Sequence, residues 1–145
     1  MLTLATTNTI AGVASAATQM TCTIMGMELN GTTEVYKILD QRQLAAAAAT
    51  IYTAPASTTA FVKSITVVNN DTSVRTFRLF INGTAAANAI TPLYEIQPGG
   101  QAVYEDGAGW TFYTVNGIML NGAVCLDLYQ TAFFVSGCKA ETFPR

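Results

Sequence analysis

Four Asn-Gly pairs punctuate this chain, at Asn30-Gly31, Asn82-Gly83, Asn116-Gly117 and Asn121-Gly122, and three of them sit beside runs of β-branched and aromatic residues. Both residue types tolerate a positive φ, which the two central positions of a tight type I′ hairpin turn require. The spacing therefore predicts antiparallel strands folded back on short turns. The chain also contains no histidine. That excludes Ser-His-Asp and Cys-His catalytic arrangements and every His-containing metal site.

At 145 residues the chain has the length of one domain. Only 11% of it is charged, while half is apolar; an ordinary soluble domain carries roughly 25% charged residues. Such a surface is either a Thr/Ser/Asn coat or one covered by neighbours in an assembly. An uncharged, edge-rich β surface invites pairing, which favours the assembly. The net charge of −2, without a Lys/Arg cluster, lacks the electrostatic footprint of a nucleic-acid binder. No apolar run approaches the length needed to span a bilayer. Neither nucleic acid nor membrane is thus an expected partner.

Ala14-Ser15-Ala16-Ala17 resembles a leader cleavage site, but the first basic residue is Lys37 and the preceding segment is rich in Thr and Asn. The N-terminus reads as mature protein. The three cysteines, Cys22, Cys125 and Cys138, are an odd number, which argues against a disulfide framework and for reduced, buried, apolar side chains. Pairing of Cys125 with Cys138 across a hairpin stays open. No C-x₂-C element exists for zinc, and no cofactor is implied.

Along the chain, residues 1–32 carry one charge, Glu28, and no aromatic residue. Gly12 and the small residues from Val13 to Ala17 break any strand. From Thr18 to Leu29, Met20, Cys22 and Ile24 alternate with Thr21, Thr23 and Met25. This reads as an extended arm followed by a strand ending at Asn30-Gly31, with Thr33–Leu39 as the return strand. Five alanines, Ala45–Ala49, are too few to hold a helix and read as a linker. Beyond it, strand patterns cover Ile51–Thr53, Thr58–Asn69, Val74–Ile81, a short segment around Ala89–Ile96, Gln101–Glu105, Trp110–Val115, Ile118–Met119, Ala123–Tyr129 and Ala132–Phe143. In Val74–Ile81 the expected core face is Phe77, Leu79 and Ile81, leaving Thr76, Arg78 and Phe80 outward. Short strands with turn signals at this spacing suggest a sandwich or jelly roll.

The densest acidic point, Glu105-Asp106 before Gly107, reads as a polar turn. A calcium loop needs a D-x-D-x-D-G series, and a glycosidase needs two facing carboxylates; Glu95, Glu105 and Asp106 are the candidates for the latter. The Asn-x-Thr matches at Asn30, Asn70 and Asn82 are turn chemistry. Phe80, Tyr94, Tyr104, Trp110, Tyr113 and Tyr129 divide between core, subunit interface and sugar stacking.

Ile51-Tyr-Thr-Ala-Pro-Ala-Ser-Thr-Thr-Ala-Phe-Val-Lys-Ser-Ile-Thr-Val-Val-Asn-Asn, followed by Thr76-Phe-Arg-Leu-Phe-Ile-Asn-Gly83, resembles a strand pair of small β-sandwich structural proteins of tailed bacteriophages. The Pro98-Gly99-Gly100 turn before an apolar strand fits the same pattern. The resemblance spans roughly residues 50–105 and involves no catalytic residue. It implies a virion component: a head decoration (cement) protein or a piece of the tail or its fibres.

The resulting expectation is an all-β protein, an antiparallel β-sandwich or jelly roll, with an extended N-terminal arm and hairpin over residues 1–45 and a sandwich domain over 46–145. No catalytic, cofactor-binding or metal residues are assigned. A low-charge arm can add a strand to a neighbour's sheet edge, and weak contacts multiply over many subunits. Leu2, Leu4, Ile10, Met20 and Ile24 on the arm, with Arg78 and Phe80 on the body, are the expected contacts. The expected partners are further copies of the chain, as a trimer, and the major capsid protein, in a virion assembled in the host cytoplasm. The alternatives are a tail or fibre-base protein binding another tail protein or a host glycan, and a hydrolase using Glu95, Glu105 or Asp106.

Overall fold

The computed structural model describes residues 1–120. The Asn121-Gly122 turn, the strands expected over Ala123–Tyr129 and Ala132–Phe143, Tyr129, Cys125 and Cys138 lie outside the described residues. Ten strands run in chain order: β1 Leu2–Leu4, β2 Thr9–Ala14, β3 Met20–Asn30, β4 Thr33–Gln43, β5 Ala49–Thr53, β6 Thr58–Asn69, β7 Arg75–Ile81, β8 Tyr94–Ile96, β9 Gln101–Glu105 and β10 Gly109–Tyr113. They form two antiparallel sheets packed face to face, as expected for an all-β sandwich. One sheet has the order β10-β9-β6-β3-β4, with β1 also on β6; the other has the order β5-β2-β7-β8.

The longest strand, β6, organises the first sheet. Its pattern of β-branched residues at alternate positions suits a half-buried pleated surface. Along one side it pairs with the whole of β3; along the other, Ala60–Val62 pair with β1 and Ser64–Val68 with β9. Ile24, Val62, Ile65 and Val67 from this sheet meet Ile10, Phe77 and Leu79 from the other in one continuous core that also takes in Leu4, Met20, Leu44, Ile51 and Ile96. Phe77 and Leu79 point inward, as the alternation in that stretch predicts. An aromatic chain closes one end of the sandwich: Phe77 lies 5.8 Å from Tyr94 and 5.6 Å from Trp110, and Tyr94 packs edge-on against Phe112 at 4.9 Å. Tilted and edge-on pairs at these separations suit the ring quadrupoles.

The N-terminal residues are not an arm. β2 lies in the middle of its sheet, between β5 and β7, and β3 lies between β6 and β4. The division at residue 45 cuts through the core, because Leu4, Ile10, Met20 and Ile24 pack with Ile51, Val62 and Phe77. The small residues that read as a strand breaker have a packing role instead. A Cβ at Gly12 would sit 2.7 Å from Ile51 Cδ1 and 3.0 Å from Leu44 Cδ2, so the missing side chain lets the core close over β2. Packing overrides intrinsic strand preference here.

The turns also differ from the type I′ expectation. Asn30 pairs with Thr33, so the two-residue loop is Gly31-Thr32, and the positive φ falls on Gly31 (62°). Glycine at the first central position is the type II′ arrangement. Asn82 and Gly83 both have positive φ, but they lead into the loop before β8. There the Asn82 side chain accepts the Thr9 N–H at 3.0 Å. Gly117 sits in a wider turn, its N–H donating to the Thr114 carbonyl at 2.9 Å. Asn69 is the buried polar hinge of the body. Its side-chain amide donates to the Ser73 and Ile96 carbonyls, both at 2.9 Å, while its Oδ1 accepts the Asp71 N–H at 3.0 Å. A buried amide so engaged fixes two loops at no desolvation penalty.

Candidate interaction surface

The apolar residues of β3 switch sides halfway. Met20, Cys22 and Ile24 are buried in the core, with Thr21 and Thr23 on the opposite face. After Ile24 the apolar residues move to odd numbers: Met25, Met27 and Leu29, with Gly26 and Glu28 between them. The pleat of β3 itself is unbroken, with even-numbered residues inward throughout; the irregularities at this level lie in the strands on either side. The register shifts between Ile24 and Met25 against β4, and between Met25 and Gly26 against β6. Leu39 and Lys63 are the extra residues. A Cβ on Gly26 would lie 2.0 Å from the Phe61 carbonyl oxygen, so glycine is obligatory where the strands crowd.

Beyond the irregularity, Glu28 faces inward and Met25, Met27 and Leu29 lie on the opposite face, where Met25 is exposed, Leu29 half-buried and Met27 buried among its neighbours. Glu28 accepts a hydrogen bond from the Tyr52 hydroxyl on β5 at 2.7 Å and pairs with Lys37 Nζ on β4 at 2.6 Å. Burial works to raise the Glu28 pKa, but the hydrogen bonds from Lys37 and Tyr52 outweigh it and hold the carboxyl below its usual value. Burial, with the Glu28 carboxylate beside it, pushes the Tyr52 hydroxyl upward. This polar link joins the two sheets at their open side. Arg42 reinforces it, donating to Asp40 and reaching the Thr50 carbonyl on β5 at 3.3 Å.

Residues directly opposite in an antiparallel pair share a face. Met25 opposes Ile38, and Met27 opposes both Tyr36 and Phe61. These side chains form an apolar strip on the outside of the first sheet, where Tyr36 is 70%, Ile38 55% and Met25 41% exposed. The strip ends at β4, the last strand of its sheet, and Val35 on the inner face of β4 is 47% exposed. Isolated exposed apolar residues are ordinary; a contiguous strip beside a strand whose outer edge no described residue pairs is a candidate contact surface.

The residues expected to make contacts fall elsewhere. Leu4, Ile10, Met20 and Ile24 are core residues, and Phe80 is buried, so none is available on the surface. Their alternation was legible, but it carried no sign of which side faces the second sheet. Leu2 is half-buried and lines an apolar cavity of about 190 Å³ with Ile65, Ile90, Tyr104 and Trp110. Arg78 is half-buried on β7, and its Nε is buried without a hydrogen-bond partner. The surface residues Met25, Val35, Tyr36 and Ile38 carry one sequence signal, the move of apolar residues from even to odd positions after Ile24.

The acidic turn after β9 is tied into the framework. Asp106 accepts the N-terminal ammonium at 3.4 Å and Lys63 Nζ at 3.6 Å, which fastens the start of β1 to the β9–β10 turn. Glu95 stands on β8 of the other sheet. Burial, then the nearby Asp40 carboxylate, pushes the Cys22 thiol up to about 12, so it is unreactive at neutral pH. Protein-family models, curated proteins and solved structures offer no match to this chain.

Proposed function

We propose that this chain is a non-enzymatic structural protein of a tailed-bacteriophage virion, a capsid decoration protein that bridges and stabilises neighbouring major capsid subunits. The observation that carries an assembly role is the apolar strip beside the outer edge of β4. Exposed Tyr36, Ile38 and Met25 beside backbone donors and acceptors that no described residue satisfies suit a chain that works in an assembly. The low charge supports the same reading. The resemblance to phage sandwich proteins, which lies on β5, β6 and β7, supplies the virion setting.

The test is the copy number in purified particles, by quantitative mass spectrometry against the major capsid protein. A ratio near one to one supports a cement on the head lattice. A ratio of a few hundredths supports the alternative, a tail or fibre-base protein, and removes the decoration reading. Absence from particles removes the virion reading itself.

A further inference from the structure

We infer that two copies of this chain pair through β4, antiparallel and edge to edge, with Tyr36 on the two-fold axis. The inference stands whether or not the protein belongs to a virion.

It starts from the direction of the backbone groups. A two-residue hairpin loop closes on a hydrogen-bonded pair, here Asn30 with Thr33, and bonded pairs then alternate along the ladder. Val35 therefore bonds back to Glu28, and Lys37 to Gly26. The N–H and C=O groups of Glu34, Tyr36 and Ile38 point away from β3, and no described residue pairs with them. Natural edge strands are guarded by proline, lysine, shortness or a covering segment. β4 runs for 11 residues, and from Thr33 to Ile38 it is straight. It has no proline, and two of its three outward-pointing residues are apolar; its lysine, Lys37, is engaged with Glu28, and the irregularity at Leu39 lies beyond this stretch. Only another extended strand satisfies such a row.

The charges then select the second copy's register. A two-fold axis perpendicular to the sheet pairs residues that share a face. An axis through Lys37 sets Lys37 against itself, and like charges directly opposite are destabilising. An axis through Val35 uses only the end of the hairpin and sets Ile38 against Thr32 in the loop. An axis through Tyr36 uses all three outward residues. Tyr36 meets the partner's Tyr36, and Ile38 meets the aliphatic part of Glu34. On the inner face the exposed Val35 lies against the stem of Lys37, whose ammonium remains on Glu28. No like charges are opposed. The product is a dimer with one continuous sheet, in place of the trimer expected from the sequence.

Sedimentation velocity of the full chain should give twice the single-chain mass of 15.4 kDa. Tyr36→Pro removes one outward N–H and no bond to β3, and Ile38→Lys adds an edge charge; both should sediment as single chains. Tyr36→Cys should oxidise to a covalent dimer, because opposed bonded residues lie about 5.5 Å apart at Cα, within disulfide span, and Val35→Cys should not. A single-chain or trimeric wild type overturns the inference. So does a dimer indifferent to both edge variants, or Val35→Cys cross-linking as readily as Tyr36→Cys. The cysteine pair decides the matter if either edge variant fails to fold.

Discussion

The base and the tip of the β3–β4 hairpin are made of the same two strands, yet they obey opposite rules. At the base, Met20, Cys22 and Ile24 are buried against the second sheet, and Thr21, Thr23 and Gln41 face solvent. At the tip, the apolar side chains of Met25, Tyr36 and Ile38 face out, while the inward side carries the Glu28–Lys37 pair and its bond to Tyr52. Two irregularities, with Leu39 the extra residue in β4 and Lys63 in β6, mark the level at which the regimes change. Burying apolar surface is what holds a sandwich together, so the base supplies stability. The tip forgoes that stability and leaves Met25, Tyr36 and Ile38 exposed.

The sharpest way to break the contrast is to remove the base altogether. A chain lacking residues 1–29 loses β1, β2 and nearly all of β3, the strands at the centre of both sheets. It should show no cooperative thermal unfolding by circular dichroism; a truncated chain with a native-like transition would restore the dispensable arm. Next in size is Gly26→Val. The new Cβ would fall on the Phe61 carbonyl, and overpacking against backbone should exceed the usual 1–3 kcal/mol of core overpacking, about 4 kcal/mol in all. Ile24→Ala at the base should cost about 3 kcal/mol, whereas Ile38→Ala at the tip should move stability of the isolated chain by less than about 0.5 kcal/mol. Urea titrations of the two alanine variants, side by side and at low concentration, test the contrast directly.

A smaller effect concerns the polar link under the tip. Tyr52→Phe removes a hydrogen bond to a carboxylate and should cost about 1.5 kcal/mol. Glu28 has a folded pKa below its ordinary value of 4.5. A carboxyl lowered on folding contributes stability that is complete above the unfolded value and is lost as pH falls through the lower folded one. Acid titration of stability should therefore show a decline beginning below the ordinary glutamate range. That decline should be shallower in Glu28→Gln; an identical acid limb in the variant would remove Glu28 from the account.

Most strands could be read from local pattern. Thr58–Asn69 is β6 to the residue, because β-branched alternation between turn-forming residues is a local property. Gln101–Glu105 is equally clear. β4 extends past the local strand pattern, since Asp40–Gln43 looks polar and its place in the sheet depends on pairing with Thr21–Ile24. β2 has no local strand signal, because Ala11, Gly12 and Ala14 are weak strand formers whose value lies in the space they leave for Leu44, Ile51 and Leu79.

By itself, then, the sequence determined the all-β character, the position of most turns and the absence of histidine chemistry, because these depend on residue type and short-range spacing. Only the tertiary structure decided which sheet each strand joins. The chain passes from one sheet to the other between β1 and β2, β2 and β3, β4 and β5, β5 and β6, β6 and β7, and β8 and β9, and strand alternation is the same on either sheet. It also decided which side of β3 is the inside. Alternation defines two faces but labels neither, and the label comes from the second sheet, which covers the base of the hairpin and leaves the outer face of its tip open.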